Sequence, residues 1–197
     1  SYSYPLLLNL PMYINFFLLL GIVLMALSAL VDNPSHAFNS IILEYLHIDL
    51  HNSGKSMNIV DSISLTALIG LFIGIMGTVP GHELVHRKKK KFDMEMGNWL
   101  LAFSWDCAFA VEHVYGHHKN VGLEIDPATA RRGENIYKFI FRAIVNEHVD
   151  AWKIEKNRSK RKKTSLLGFN NRMITGYFRS ICLTILSYII RSRFLTS

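Results

Sequence analysis

The sequence predicts an all-α integral membrane fold, and three observations predict it. Residues 1–31 carry no acidic or basic side chain, and residues 62–81 form a second uncharged run rich in Leu, Ile and Gly. Each is long enough to cross a bilayer, which takes about 20 apolar residues at about 1.5 Å rise per residue. Third, the basic residues are bunched. Arg87-Lys88-Lys89-Lys90-Lys91 and Arg158-Ser159-Lys160-Arg161-Lys162-Lys163 hold ten of the 22 Lys and Arg. The first of these runs directly follows an apolar stretch, so the positive-inside rule places both runs in the cytoplasm.

Composition limits the alternatives. Half of the 197 residues are apolar, which would also suit one soluble domain with two buried helices. A cleaved signal peptide fits less well, because the first run has neither a basic start nor a small-residue cleavage pattern. The net charge of +7 invites a nucleic-acid reading, but membrane orientation accounts for the clustered charges, and no nucleic-acid partner is expected. Cys107 and Cys182 both sit in apolar stretches and indicate no disulfide framework. The chain begins without Met and stops just after apolar residues 181–190, so it is expected to be a fragment cut at both ends.

In chain order, a first helix is expected over residues 4–31, running from inside to outside and broken by Asn33-Pro34-Ser35. Residues 43–51 read as a short amphipathic piece on the outer side. The loop 32–61 carries Asp32, Glu44, Asp49 and Asp61 against Lys55, which suits that side. A second helix starts near Ile59 and continues past Pro80-Gly81 into His82-Glu83-Leu84-Val85-His86-Arg87, with Pro80 a possible kink. Residues 97–111 are too short for a span and suit a re-entrant or interfacial segment. Residues 135–156 suit an amphipathic interfacial helix, 157–171 a basic cytoplasmic loop, and Met173 begins another membrane helix.

Five of the nine histidines fall in two motifs, His82-Glu83-Leu84-Val85-His86 and Glu112-His113-Val114-Tyr115-Gly116-His117-His118. On an α-helix, positions i and i+4 lie within about 40° of each other. His82 and His86 are therefore expected to share a face, as are His113 and His117, with His118 on the neighbouring face, towards a second metal or its far side. Unpaired imidazoles beside a membrane core are expensive, and a metal removes that penalty. The first motif alone fits a zinc protease, with Glu83 as the base. Five clustered histidines exceed what one catalytic zinc needs and suit two metals. Imidazole ligation and oxygen chemistry then favour iron.

HELVHR followed by EHVYGHHKN resembles the first two histidine boxes of the membrane alkane monooxygenases and xylene monooxygenases, and more distantly the membrane fatty-acid desaturases. Residues 121–134 and 151–155 are similar to that family's continuation. The resemblance implies a fragment of a six-helix, fatty acid desaturase-like fold with histidine boxes on the cytoplasmic face. All of residues 1–197 would belong to one partial domain, truncated at both ends and lacking the third box. His82, His86, His113, His117 and His118 would be metal ligands of a non-haem di-iron centre. Glu83, Glu112 and Asp126 are candidates to orient the imidazoles, the plainer role being ion pairs with nearby Arg or Lys. His47 and His51, with Glu44 and Asp49, read as surface groups rather than a second metal site, and His36 and His148 as interfacial or surface residues.

The implied function is O2-dependent terminal hydroxylation of an alkane or related hydrocarbon, with electrons from a rubredoxin- or ferredoxin-type donor. The implied location is a bacterial inner membrane. Fatty-acyl desaturation or hydroxylation is the alternative within the same chemistry, and a non-enzymatic membrane metal-binding protein the alternative outside it. With ligands missing downstream, the fragment alone is expected to be inactive.

Overall fold

The computed structural model describes residues 5–30 and 36–193. Among them every regular element is helical. They separate into two compact units. One takes the described parts of residues 1–80 and 181–197, and the other is Gly81–Ser180.

In the first unit, α1 spans Pro5–Ala29. The expected Asn33-Pro34-Ser35 break lies outside the described residues. Next come α2, His36–Leu46, and α3, Leu50–Ser56. The expected single piece over residues 43–51 is thus two helices. His47 is left-handed at φ 57°, and the Asp49 side chain caps α3 by accepting from the backbone N–H of His51 and Asn52. Asn39 ties the corner by accepting from the Leu50 N–H at 2.8 Å.

The second apolar run is helical throughout, but not uniformly. α4 covers Ile59–Phe72 behind an Asn58–Asp61 capping box. A π-helical stretch, Ile73–Thr78, follows, and α5 covers Val79–Val85. Proline removes one backbone donor and crowds the preceding turn. The helix meets Pro80 by widening that turn, with the Val79 N–H reaching Gly74 O.

Two helical runs are long and apolar enough to span a membrane, Asn9–Ala29 and Ile59–Val85. Only 11% of the first window and none of the second is buried within the protein. Ile59, Ile63, Leu71, Ile75 and Val79 all face outward. A core helix of a soluble protein would bury such residues, so these surfaces suit lipid.

In the second unit, α6 spans Lys91–Ala102. The run 97–111 is split, because the chain turns after α6 and passes through Trp105 at φ 58°. It restarts where Asp106 Oδ1 accepts from the Phe109 N–H at 3.1 Å. α7 is Phe109–Glu112, a π-helical turn covers His113–His117, and α8 is His118–Asn120.

α9 covers Ile136–Lys162, so most of the basic run expected as loop is helix. Lys160, Arg161 and Lys162 fill its last turn, where cations complement the helix dipole, and left-handed Lys163 caps it. α10 spans Arg172–Arg193, and Asn171 Oδ1 accepts from the Met173 N–H at 2.8 Å. Buried Glu155 joins α9 to the start of α10. It accepts from Arg172 Nε at 2.7 Å and Arg158 Nη1 at 3.0 Å. Cys107, Ala108, Val111, Ala151 and Met173 pack into one apolar core cluster of this unit.

Candidate metal centre

The two histidine motifs meet inside the second unit. α5 approaches α6 closely at Gly97, where an added Cβ would stand 2.9 Å from Gly81 O. Val85, Leu101 and Val114 pack together beneath, with Phe109 and Ala110 against them. This apolar layer fixes α5 against α7 and its π-helical continuation.

Above it, four imidazoles converge through Nε2. His82 Nε2 lies 2.9 Å from His86 Nε2 and 2.8 Å from His113 Nε2, and His113 Nε2 lies 3.1 Å from His118 Nε2. One ligand atom from each of the four falls within 4.8 Å of all the others. A neutral imidazole has a single N–H, so converging nitrogens leave lone pairs facing one another. A cation resolves that conflict. With metal–nitrogen bonds of about 2.1 Å, ligands at right angles stand about 3.0 Å apart and tetrahedral ones about 3.4 Å. The three observed separations match the right-angled arrangement, so this donor set fits a metal ion.

Charge supports the same reading. Burial, then neighbouring His82, His118, His117 and His86, lower the His113 pKa to about 4. Burial and His82 also lower that of His86. Both rings are neutral at pH 7, the form that binds metal. Phe109 stacks on His113 with ring centroids 4.5 Å apart and an interplanar angle of 8°.

His117 is outside the group of four. α-helical spacing had paired it with His113 and sent His118 elsewhere. The π-helical turn instead brings His118 to His113, five residues on, and the His118 N–H bonds His113 O. His117 turns to Asp126, with Nδ1 2.9 Å from Oδ2. Asp126 is 1% exposed and further held by the Thr129 hydroxyl and the Ala128 N–H at 3.1 Å. Burial acts against its charge, but the bonds from Thr129, Ala128 and His117 keep its carboxyl below the usual range.

The other two carboxylates behave differently. Buried Glu112 folds back on its own helix and accepts the backbone N–H of His117. The carboxylate lies close over Gly116, where an added Cβ would stand 2.4 Å from Glu112 Oε1 and the carboxylate would have to shift. Burial, then Glu147, Asp126 and Asp150, push its pKa up to about 7. Glu83 pairs with Arg87 at 3.0 Å and its side chain is 58% exposed. A zinc-protease base must face the metal, and this carboxylate is occupied by a guanidinium instead.

Arg142 belongs to neither histidine motif but secures the Asp126 loop. Its guanidinium grips Glu134 through Nε at 2.7 Å and Nη2 at 2.8 Å. It also donates to Pro127 O at 3.2 Å and Thr129 O at 3.0 Å. It thereby holds both sides of the loop that presents Asp126. No local pattern marks it, because its partners lie 8 to 15 residues away. His47 and His51 take part in no comparable metal-binding group among the described residues.

The fatty acid desaturase family model matches residues 61–191, which contain both histidine motifs and the Asp126 loop. The chain belongs to the fatty acid desaturase family. Within it, the chain is 35% identical over 143 residues to an alkane 1-monooxygenase of Pseudomonas putida, covering 68% of this chain and 35% of that protein. Alkane 1-monooxygenase 1 of Alcanivorax borkumensis is 31% identical over 152 residues, 72% of this chain and 37% of the relative. The hydroxylase component of xylene/toluene monooxygenase of Pseudomonas putida is 34% identical over 96 residues, 48% and 26% respectively. The chain thus spans about a third of the length of the curated relatives it matches. Family membership and two outward-facing apolar runs together indicate an integral membrane protein.

Proposed function

We propose that this chain carries part of the metal centre of a membrane di-iron monooxygenase that hydroxylates an apolar hydrocarbon. The observation that carries the reading is the convergence of His82, His86, His113 and His118 within 4.8 Å. These four would hold one iron. His117, oriented through Nδ1 by Asp126, keeps Nε2 as its ligand atom for a second. When bound, a non-haem iron pair supplies O2 activation and one-electron chemistry. The protein's own part is to hold neutral imidazoles in place, fix His117 through Asp126, and back the site with the dry Val85, Leu101 and Val114 layer. Apolar substrate reaches such a site from the bilayer. Electrons come from a rubredoxin- or ferredoxin-type donor, and the histidine face lies on the cytoplasmic side of a bacterial inner membrane.

Metal analysis of the full-length membrane protein is the direct test. About two irons per chain is the expected result, and one zinc without iron rejects the proposal. Product analysis with medium-chain alkanes is expected to give terminal alcohols. The desaturase family match favours one second reading, action on a fatty-acyl chain, and acyl substrates in the same assay separate the two. For sidedness, a Ser53→Cys protein should label only from outside; labelling from the cytoplasm inverts the topology.

A further inference from the structure

A concavity lies where the C-terminal end of α9 meets α8 and the start of α10. This open pocket has a volume of about 630 Å³ and is lined by Lys119, Arg158, Arg161, Lys162 and Arg172, over Tyr115 and Ile154. We propose that this pocket binds the phosphate of an anionic lipid headgroup. The inference rests on the chain being membrane-inserted with this face towards the cytoplasmic leaflet.

The charge count is the first argument. Arg158 and Arg172 share one buried carboxylate, Glu155, at 3.0 and 2.6 Å. That pairing fixes both guanidiniums without neutralising both. Among the described residues, Lys119, Arg161 and Lys162 have no carboxylate within ion-pair distance. Lys88 adds another cation nearby, its Nζ 4.3 Å from the centroid of the Tyr115 ring that Arg172 also covers at 4.1 Å. Cations at the end of α9 could merely complement the helix dipole. Lys119 comes from α8 and Arg172 from α10, however, so three separate elements deliver charge to one concavity. Planar guanidiniums beside ammonium groups match the oxygens of a phosphate.

The surroundings select a lipid as its source. The loop between α9 and α10 exposes Leu167 at 78% and Phe169 at 72%, and Phe169 meets the half-exposed Phe178 edge-on at 5.6 Å. Arg158 Nη1 donates to Asn170 O at 2.7 Å, which ties this apolar tip to the pocket wall. A free phosphate ion has no use for the tip. A phospholipid uses both parts, with its phosphate among the cations and its upper acyl chain against Leu167 and Phe169.

The test is native mass spectrometry of the full-length protein released from nanodiscs of equimolar phosphatidylglycerol and phosphatidylcholine. The wild type is expected to retain phosphatidylglycerol selectively. Lys119→Gln/Arg161→Gln/Lys162→Gln is expected to lose that selectivity, by about fivefold for each charge removed. Lys89→Gln/Arg132→Gln/Lys138→Gln, with the same charge change outside the pocket, is expected to keep it. Leu167→Ser/Phe169→Ser is expected to weaken lipid retention. Equal retention of both lipids by the wild type overturns the proposal, as does equal loss in the two triple variants. Displacement of the lipid by inorganic phosphate, with no effect of the Leu167/Phe169 change, assigns the pocket to free phosphate and also overturns it. So does a pocket variant that keeps its lipid and instead fails to bind an acidic redox protein. Iron content of the same preparations separates this inference from the metal-centre proposal. Equal retention of both lipids by wild-type protein that holds its iron sinks the lipid site alone.

Discussion

The two histidine motifs bring their rings to one point by different helical geometries. His82 and His86 lie four residues apart at the end of α5, and their Nε2 atoms stand 2.9 Å apart. His113 and His118 lie five apart across a π-helical turn, with their Nε2 atoms at 3.1 Å. The wider turn does what a regular one cannot: it adds His118 to the cluster and turns His117 to Asp126. The difference shows what each motif requires. The first needs only helical spacing, while in the second the Glu112 carboxylate folds back over Gly116 to accept the His117 N–H within the widened turn. Short π-helical insertions are uncommon and often occur at functional sites.

Removing a central ring should break both motifs at once. His113 contacts His82 and His118, so His113→Ala is expected to weaken metal binding beyond the roughly 100-fold that loss of an outer partner produces. Metal content after dialysis against a chelator measures it, and wild-type retention would show that the four rings are not one site. Gly116→Ala should damage only the second motif. Its methyl must displace the Glu112 carboxylate, and a drop in metal affinity of about 10- to 100-fold is expected. The matching Leu84→Met change on α5 should leave affinity within a few fold. Asp126→Asn asks whether His117 matters through its orientation. About a tenfold loss is expected, with an altered ligand-field spectrum of the metal-loaded protein. An unchanged spectrum would remove His117 from the site.

The pH response sharpens the comparison further. Bonds from Arg142 and the Arg131 N–H hold the Glu134 pKa at about 2, below its ordinary 4.5. A depressed carboxyl contributes stability that is complete above the unfolded value and is lost as pH falls through the folded one. The loop over residues 121–134 should therefore stay protected above about pH 4.5 and loosen progressively towards pH 2. Hydrogen exchange in that loop follows it, and Arg142→Met should abolish the protection at all pH values. The smallest effect is expected from Glu83→Gln. Its exposed pair with Arg87 belongs to a class worth about 0.2–1 kcal/mol, so metal affinity should change less than about threefold. A loss above tenfold would give Glu83 a direct part at the metal.

The sequence by itself determined what local rules can carry. Uncharged length marked the two apolar runs, and the apolar face of the second is indeed turned outward. Four-residue spacing paired His82 with His86 because a regular helix repeats its faces without outside help. Boundaries that depend on a particular side chain were less legible. Asp49 caps α3 and so splits residues 43–51 between α2 and α3, and the basic residues of the run fill the last turn of α9.

Only the tertiary structure decided which histidines belong together. A π-helical turn changes the register of every ring after it, and here it brings His118 rather than His117 to His113. The choice of Asp126 over Glu83 as the partner of an imidazole was also made in three dimensions. Glu83 lies within reach of Arg87, four residues on and just past the end of its helix, whereas Asp126 is delivered to His117 by a loop that Arg142 holds from α9. A carboxylate pairs with whichever donor the fold brings nearest, and for Asp126 that donor is nine residues away in the chain.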